Sequence, residues 1–344
     1  MPVPVALYPL PDLSAHVVTV EPFAGTTPVP FGSASSQDML AAYAKYLREL
    51  VPLDKSRKLK VVIDTGNGMG GFTVPAVLGD DILPALPLEI DEMYFELDGT
   101  FPNHEANPID PENLRDLQKR VLEVGADIGL AFDGDADRCF VVDEKGGIVD
   151  PSTLTALIAT RELAKVPGST IIHNLITSRA VPEIVNENGG IAVRTRVGHS
   201  FIKATMAETG AIFGGEHSGH FYFRDFWKAD SGMLAAMHAL AALGETAEST
   251  TLSELLKPYL RYVMSGEINT KVSDAKAVIA RIKDTAIKQG SEIDELDGLT
   301  VSGDGWWFNV RSSNTEPLLR LNVEAKDIQN MEIVRDSVLS MMVG

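Results

Sequence analysis

The chain has 344 residues, of which 44% are hydrophobic and 23% charged, a composition typical of a globular protein with more than one domain. Its formal net charge of −18 argues against nucleic acid or an anionic membrane as a partner, because like charges repel. No apolar run reaches membrane length, and the proline-rich start lacks the pattern of a secretory signal. The single cysteine, Cys139, excludes an intramolecular disulfide framework, so we infer a cytoplasmic protein.

Sequence pattern divides the chain into four segments. Residues 1–35 are rich in Pro, Ser, Thr and Gly and have weak periodicity, so we interpret them as a linker or the remnant of a further domain. Strands and helices then alternate, which predicts two α/β layered domains with mixed sheets over residues 36–150 and 151–260. The pattern changes to a long helix and paired strands over residues 261–344, which predicts a C-terminal α+β domain.

The predicted helices carry apolar residues at helical spacing, and the predicted strands are short apolar runs bounded by turn residues. In chain order the helices cover residues 36–50, 110–124, 153–163, 178–188, 198–208, 231–243 and 274–289, with a last helix from residue 327. The strands cover residues 59–64, 128–132, 139–142, 170–174, 192–196 and 211–214, with a further segment over 262–271 and two strands around Trp307 and Leu319. Ser36 is the predicted cap of the first helix.

The sequence DGDADR at residues 133–138 lies between two predicted buried strands and is the most informative stretch of the chain. Its three aspartates, Asp133, Asp135 and Asp137, alternate on a turn, so all three carboxylates can point at one spot. Carboxylates that close repel each other unless a cation neutralises them. Oxygen ligands suit Mg²⁺ or Ca²⁺, so we predict that the three aspartates bind a metal ion. Arg138 beside them suits a phosphate oxygen.

Two other interpretations of this acidic stretch fit less well. A helix-flanked calcium loop needs glycine at its sixth position, whereas this stretch has Arg138 there and predicted strands on both sides. A solvated acidic turn is the second alternative, but the two buried strands would bury the base of such a turn. The metal-binding interpretation is therefore retained.

The glycines of the turn at residues 66–71, GNGMGG, match the G-x-G-x-x-G spacing of dinucleotide-binding loops. Glu89 and Asp91 follow at about the distance at which such proteins contact the ribose. Pro75 is unfavourable for the helix that a dinucleotide site needs, and the same glycines suit a tight strand-to-helix turn. Both interpretations stay open on these residues alone.

The loop GGEHSGH at residues 214–220 offers one carboxylate, one hydroxyl and two imidazoles on a flexible backbone. Glu216 and Ser218 could bind neighbouring hydroxyls of a sugar, and an ordinary polar turn is the alternative. A serine-hydrolase elbow is excluded, because the serine lies one position too late for G-x-S-x-G.

Upstream, His199 and Lys203 lie one turn apart at the start of a predicted helix and could face the same side.

The stretch RSSNTEP at residues 311–317 connects two predicted strands of the C-terminal domain. It combines Arg311 with hydroxyl and amide donors and with backbone N–H groups in a turn, which is the composition of a phosphate-binding loop. Arg320 is a second cation close by in sequence. A hairpin turn without a ligand is the alternative for this stretch.

Taken in order, the metal, sugar-type and phosphate loops resemble those of the α-D-phosphohexomutases, in particular the bacterial phosphomannomutase/phosphoglucomutase branch. The resemblance covers the chain from about residue 36 to its end and rests on four motifs, at residues 133–138, 198–199, 215–220 and 311–317. It implies four domains around a central cleft, the first three α/β and the last similar to a TATA-binding-protein fold. It also interprets the glycine turn as the opening of the family's second domain.

The resemblance implies an isomerase that interconverts the 1-phosphate and 6-phosphate of a hexose. A phosphoserine in the first domain donates its phosphoryl group, the hexose 1,6-bisphosphate reorients, and the serine recovers the other phosphoryl group. Mg²⁺ is held by the three aspartates and the serine phosphate. The implied roles are metal binding by Asp133, Asp135 and Asp137; catalysis by Arg138, His199, Lys203 and His220; binding of sugar hydroxyls by Glu216 and Ser218; and binding of the non-reacting phosphate by Arg311, Ser313, Asn314, Thr315 and Arg320.

The chain departs from the family's pattern at its start. It contains no Ser-His-Asn-Pro, the motif that carries the family's nucleophile, and Ser14-Ala15-His16 is no substitute. We therefore expect that most of the first domain is missing and that this chain alone is inactive. Two alternatives stay open: a non-catalytic protein that binds hexose phosphates, and a dinucleotide-dependent enzyme. The sequence leaves the choice between mannose and glucose and the oligomeric state undecided.

Overall fold

Three five-stranded sheets and the helices packed on them form the fold, which the computed structural model describes over residues 36–313 and 318–343. The interpretation of residues 1–35 lies outside this range, as do the predicted phosphate ligands Asn314 and Thr315. Within the described residues the predicted fold class is confirmed, because two α/β domains with mixed sheets precede a domain with an antiparallel sheet. None of the helices in these residues is both long enough and apolar enough to cross a membrane.

The acidic loop belongs to the first sheet. The strands of this sheet are β1 (Leu59–Asp64), β2 (Leu88–Met93), β3 (Ile128–Phe132), β4 (Cys139–Asp143) and β5 (Ile148–Val149). The helices around it are α1 (Leu40–Leu50), α2 (Gly70–Val77) and α3 (Arg115–Val124), the last preceded by a 3₁₀ turn at Pro111–Leu114. The spatial order is β2-β1-β3-β4-β5; β2, β1 and β3 run parallel, and β4 and β5 are antiparallel. The acidic loop therefore connects two adjacent antiparallel strands, β3 and β4.

Several elements of this domain, among them the first helix, helix α2 and strand β2, differ from the sequence-based expectation. The first helix begins at Leu40 rather than at residue 36, with Met39 and not Ser36 at the cap position; the N–H of Leu40 donates to Oδ1 of Asp38 at 2.9 Å. Strand β2 was not expected. Its charged residues Glu89 and Asp91 alternate with apolar ones on an edge strand, where the polar face can stay in solvent.

The second sheet carries the sugar-type loop. Its strands are β6 (Thr170–Asn174), β7 (Ile191–Thr195), β8 (Phe213–Gly215), β9 (Phe221–Phe223) and β10 (Ala229–Asp230), in the spatial order β10-β9-β8-β6-β7. The helices of this domain are α4 (Pro151–Lys165), α5 (Ala180–Glu187), α6 (His199–Thr209), α7 (Gly232–Gly244) and α8 (Leu252–Leu256). Every residue of α7 is buried, and this helix packs against α4, β9 and strand β4 of the first sheet. One hydrophobic core therefore extends through both α/β domains and fixes the two loops relative to each other.

The C-terminal domain has its own core beneath an antiparallel sheet. Its strands are β11 (Val263–Lys271), β12 (Glu292–Asp294), β13 (Leu299–Gly303), β14 (Trp306–Ser312) and β15 (Leu318–Ala325), in the spatial order β11-β15-β14-β13-β12. The two helices, α9 (Ala275–Lys288) and α10 (Ile328–Val343), pack against each other and against the sheet.

A buried carboxylate connects this sheet to the second α/β domain. Oε1 of Glu324 in β15 accepts hydrogen bonds from the indole N–H of Trp307 at 2.6 Å and from the backbone N–H of Arg179 at 3.1 Å. Burial raises the pKa of Glu324 above its ordinary value, and these donors oppose the rise. Asp297 also accepts a hydrogen bond from the backbone N–H of Val197 at 3.3 Å. The C-terminal domain is thus docked on the loops that follow β6 and β7.

Candidate active site

The acidic loop brings its three aspartates together. Asp133, Asp135 and Asp137 each offer a carboxylate oxygen, and these oxygens lie within 4.8 Å of one another. The turn is closed by a hydrogen bond from the N–H of Ala136 to the carbonyl of Asp133 at 3.1 Å, with Ala136 in the left-handed region at φ 62°. Strands β3 and β4 anchor both ends of the turn in the core. The arrangement can hold one small cation among three oxygens.

Arg138 neutralises part of this charge and is itself held in place. Its Nε and backbone N–H donate to the two oxygens of Asp133 at 2.6 and 3.1 Å, and its Nη1 donates to Oδ1 of Asn107 at 3.1 Å. Burial raises the pKa of Asp133, and the contacts with Arg138 oppose that rise. Sequence reasoning missed Asn107, although it stands in a polar loop bounded by Pro102 and Pro108.

Asp137 keeps an oxygen available for a cation. Its Oδ1 is buried without a hydrogen-bond partner among the described residues and lies 3.5 Å from Nε2 of His220. The contact with His220 lowers the pKa of Asp137. Burial alone would lower the pKa of His220, but the nearby carboxylates of Asp137, Glu216 and Asp230 raise it overall. In its protonated form, His220 offsets part of the negative charge beside the acidic loop.

Backbone contacts join the sugar-type loop to the acidic loop. Arg138 and His220 form an antiparallel bridge, and the N–H of Cys139 donates to the carbonyl of Gly219 at 3.2 Å. Gly219 adopts φ +87°, and a Cβ there would lie 2.4 Å from the ring of Phe140. Only glycine permits this approach without displacing the ring. Two loops that are eighty residues apart in sequence therefore form one cluster.

Glu216 is buried beneath the sugar-type loop and organises its surroundings. Its carboxylate accepts hydrogen bonds from the hydroxyl of Tyr222 at 2.7 Å, the backbone N–H of Gly198 at 3.1 Å and the side chain of Asn174 at 3.2 Å. These donors come from three separate places, so Glu216 fixes the end of β6, the middle of β9 and the start of α6. Ser218 is half-buried, with its hydroxyl 2.9 Å from Nδ1 of His220.

Lys203 reaches the same region through a partner that the sequence did not reveal. Its ammonium group lies 2.9 Å from Oδ1 of Asp230 and 5.7 Å from the ring centroid of Tyr222. Asp230 also forms, with Asp137 and His220, a second group whose ligand atoms lie within 4.8 Å of one another. His199 starts α6 and is exposed.

The glycine turn after β1 packs directly against the acidic loop. The N–H of Met69 donates to the carbonyl of Gly134 at 2.9 Å, and a Cβ at Gly68 would lie 2.6 Å from that carbonyl oxygen. The two acidic residues considered for a ribose contact are in ion pairs: Asp91 binds Arg120 at 2.7 and 2.8 Å, and Glu89 binds Lys58 at 2.8 Å. The structure favours the strand-to-helix turn over a dinucleotide loop, because the glycines serve the contact with Gly134.

A buried histidine–carboxylate pair supports the loops around the glycine turn. Asp64, at the end of β1, is 1% exposed and lies 3.0 Å from Nε2 of His104. The hydrogen bond to Asp64 raises the pKa of His104 to about 9, although burial opposes this. His104 and Asn107 belong to the same loop, so this pair helps to fix the contact between Asn107 and Arg138.

The predicted phosphate cations lie in the C-terminal sheet, where both contact Glu267. Nη2 of Arg311 donates to Oε2 of Glu267 at 2.9 Å, and Nη1 of Arg320 lies 3.3 Å from Oε1. The N–H of Ser313 donates to the carbonyl of Leu318 at 3.0 Å across the base of the loop. Arg311 and Arg320 thus form a second charged cluster, distinct from the one around the acidic loop.

Comparison with known families places most of the chain in one family. Three family models match in consecutive order, described as Phosphoglucomutase/phosphomannomutase alpha/beta/alpha domain II, alpha/beta/alpha domain III and C-terminal domain, over residues 41–147, 150–262 and 267–340.

Individual proteins agree with this match. A protein from Xanthomonas campestris pv. campestris named "Phosphohexose mutases" is 41% identical over 298 residues, which cover 86% of this chain and 65% of that protein. A phosphomannomutase from Salmonella montevideo is 38% identical over 313 residues, 90% of this chain and 68% of that protein. The crystal structure of a phosphoglucomutase/phosphomannomutase family protein from Burkholderia thailandensis is 32% identical, with a TM-score of 0.77 over 88% of this chain and 64% of that one.

The three sheets and the matched domains define a multidomain protein of the α-D-phosphohexomutase class. The chain belongs to the phosphoglucomutase/phosphomannomutase family, which confirms the family predicted from the sequence motifs. It spans about 65% of the length of the relatives from Xanthomonas.

Replacing Asp135 by Asn should weaken Mg²⁺ binding about tenfold or more, because one of three charged ligands is lost. Isothermal titration calorimetry with MgCl₂ measures the affinity. Asp81→Asn, which removes an exposed carboxylate outside the loop, is the matched control and should bind as the wild type does. Equal affinity in the wild type and Asp135→Asn would contradict the metal assignment.

The His104–Asp64 pair should stabilise the protein in a pH-dependent way. The pKa of His104 is raised in the folded state, so its contribution is complete below about pH 6.5 and is lost as the pH rises through about 9. His104→Gln should therefore lower the free energy of unfolding by roughly 3 kcal/mol at most near pH 6, and by little above pH 10.

Urea unfolding of both proteins across this pH range measures the effect. Asn103→Ala, in the same loop, should give a loss of stability that does not vary with pH. A constant difference between the wild type and His104→Gln would show that the pair carries no linked proton.

Proposed function

We propose that this chain carries the metal, sugar and phosphate sites of a phosphohexomutase that interconverts a hexose 1-phosphate and 6-phosphate. The observation that carries the proposal is the bridge between Arg138 and His220, which joins the acidic loop to the sugar-type loop. It gathers three carboxylates, a guanidinium and an imidazole in one cluster, groups that can hold a metal ion, bind phosphoryl oxygens and move a proton. Relatives named phosphohexose mutases and phosphomannomutase support the same conclusion.

Mg²⁺ is the proposed cofactor, and the residues present fit it. Asp137 has a buried oxygen without a hydrogen-bond partner among the described residues, and Asp133 and Asp135 supply oxygens nearby. Such a hard oxygen set suits Mg²⁺. When bound, the ion supplies positive charge that stabilises the phosphoryl group during transfer.

The other residues of the cluster have separate proposed roles. Arg138 binds oxygens of the transferred phosphoryl group, and Asn107 keeps its guanidinium in position. His220 and Lys203 are the groups able to hold or move a proton at the reacting hydroxyl, each oriented by a carboxylate, Asp137 or Asp230. His199 is kept as a further catalytic candidate at the start of α6.

Sugar and phosphate recognition follow from the remaining predicted residues. Ser218 is proposed to bind a sugar hydroxyl. Glu216 is proposed to share that contact while it fixes the loop through its three donors. The non-reacting phosphate is bound by the C-terminal set, namely Arg311, Ser313, Asn314, Thr315 and Arg320. The hexose is mannose or glucose, and the proposed location is the cytoplasm.

The proposed reaction passes through a hexose 1,6-bisphosphate and depends on a phosphoserine. The 344 residues contain no Ser-His-Asn-Pro motif, so we propose that a serine loop outside this sequence supplies the phosphoryl group. The missing motif also favours one alternative function, a non-catalytic hexose-phosphate binding protein. To distinguish the mutase from the binding protein, mutase turnover is measured after a serine-bearing domain is added. Turnover is expected only from the mutase.

Glucose 6-phosphate or mannose 1-phosphate at millimolar concentration should raise the melting temperature by roughly 2–5 °C, because ligands that bind the folded state stabilise it. Arg311→Ala should abolish the shift, since it removes a charged contact worth about 1.5–3 kcal/mol. Differential scanning fluorimetry measures the shift, with free glucose and mannose as ligand controls. Arg335→Ala, an arginine of α10, is the protein control and should retain the shift. No shift in the wild type would contradict an intact sugar-phosphate site.

The 344-residue chain alone should show no mutase turnover, because positioning of a phosphorylated nucleophile supplies most of the rate in such transfers. Incubation with ³²P-labelled glucose 1,6-bisphosphate and Mg²⁺ should leave no stable label on serine. Adding a first domain that carries the serine loop should restore measurable interconversion. Turnover by the chain alone at ordinary enzymatic rates would place the nucleophile among Ser14, Ser33, Ser35 and Ser36.

A further inference from the structure

Two of the predicted phosphate-binding cations lie opposite each other in the C-terminal sheet. Arg311 of β14 is the register partner of Arg320 in the antiparallel strand β15. Like charges directly opposite in a sheet repel and destabilise the pair of strands. The two side chains are also half-buried, at 11% and 31% exposure, so water screens this repulsion incompletely. The pair of guanidiniums therefore needs an anion between them.

Glu267 of the edge strand β11 supplies an anion to both arginines. Its register partner is Asn322, two residues from Arg320, so its side chain lies on the same face as the arginines. One oxygen is 2.9 Å from Nη2 of Arg311 and the other 3.3 Å from Nη1 of Arg320. A single carboxylate is thus shared between two guanidiniums.

One carboxylate does not satisfy the two cations. Within this trio one positive charge stays uncompensated, and Nε of both Arg311 and Arg320 is buried without a hydrogen-bond partner among the described residues. A phosphate group offers more charge and more acceptor oxygens than Glu267, and in a planar fork arrangement each guanidinium can bind two of them. An arriving phosphate therefore competes with Glu267 for the same donors.

We propose that Glu267 competes with the phosphate of the ligand for the guanidinium groups of Arg311 and Arg320. It is a positioning residue that orients both guanidiniums and weakens their binding of anions. The inference rests on the proposed function, in which Arg311 and Arg320 bind the non-reacting phosphate. Weaker phosphate binding suits the proposed reaction, because the bisphosphate must release one phosphate from this cluster, turn end for end, and bind again through the other. Glu267 lowers the cost of release, since it replaces the departing phosphate on both arginines.

The test is the affinity of the full 344-residue chain for inorganic phosphate and for glucose 6-phosphate, measured by calorimetry at fixed ionic strength. Glu267→Gln keeps the shape of the side chain and removes its charge. It should bind both ligands about threefold to tenfold more tightly, the range expected when partly exposed ion pairs no longer compete. A merely structural role for Glu267 would weaken binding instead, so a gain in affinity is diagnostic.

Two controls isolate the effect. Glu295→Gln removes the same charge beside β12, at the opposite edge of the sheet, where Glu295 pairs with Lys283 at 2.7 Å; it should leave the affinity unchanged. The double variant Glu267→Gln/Arg311→Ala should lose the gain, because one of the competing donors is gone.

The possible failures point to different conclusions. If the wild type binds phosphate and Glu267→Gln binds it equally or more weakly, the competitor role is wrong and the proposed function stands. If neither protein binds inorganic phosphate or glucose 6-phosphate at 50 mM, both the competitor role and the phosphate-binding role of Arg311 are wrong. If Glu295→Gln gained the same affinity for phosphate, the gain would come from the change in net charge alone, and the inference would also be overturned.

Discussion

Repulsion among three carboxylates on one short turn is the constraint on which the site depends. Asp133, Asp135 and Asp137 bring oxygens within 4.8 Å of one another, and two of these residues are at least partly buried. Opposing charge comes from Arg138, bound to Asp133 at 2.6 Å, and from the protonated form of His220, 3.5 Å from Asp137. These contacts lessen the repulsion within the loop, and a bound cation would lessen the same repulsion.

Because these two cations come from different domains, neutralising the loop also organises the protein. Arg138 follows the acidic turn and is held by Asn107, whereas His220 belongs to the second sheet. Their backbone bridge and the fully buried helix α7 lock the two α/β domains into one core. The C-terminal domain repeats the principle with opposite signs: there Glu267 lies between two facing arginines. In both clusters a protein side chain supplies charge of the sign that the proposed ligand would also supply.

Sequence predicted those features that depend on local spacing. Alternate aspartates on a turn converge in a tight connection between strands, and the first predicted helix has a clear apolar face, so both were found. Features set by tertiary pairing were missed. The partners Asn107 and Asp230 come from distant segments, and α2 forms with Pro75 inside it, its last carbonyl, that of Val77, accepting a hydrogen bond from Arg48 of α1 at 2.7 Å. No pattern within those stretches carries that information.

The most direct test of this account is a crystal soaked in Mn²⁺ and measured near the manganese absorption edge. The account predicts an anomalous peak roughly 2.1 Å from one oxygen of each of Asp133, Asp135 and Asp137, as for a hard octahedral cation. A peak between Asp137, His220 and Asp230 instead, the other group whose ligand atoms lie within 4.8 Å, would contradict it. No peak at the acidic loop would contradict it equally.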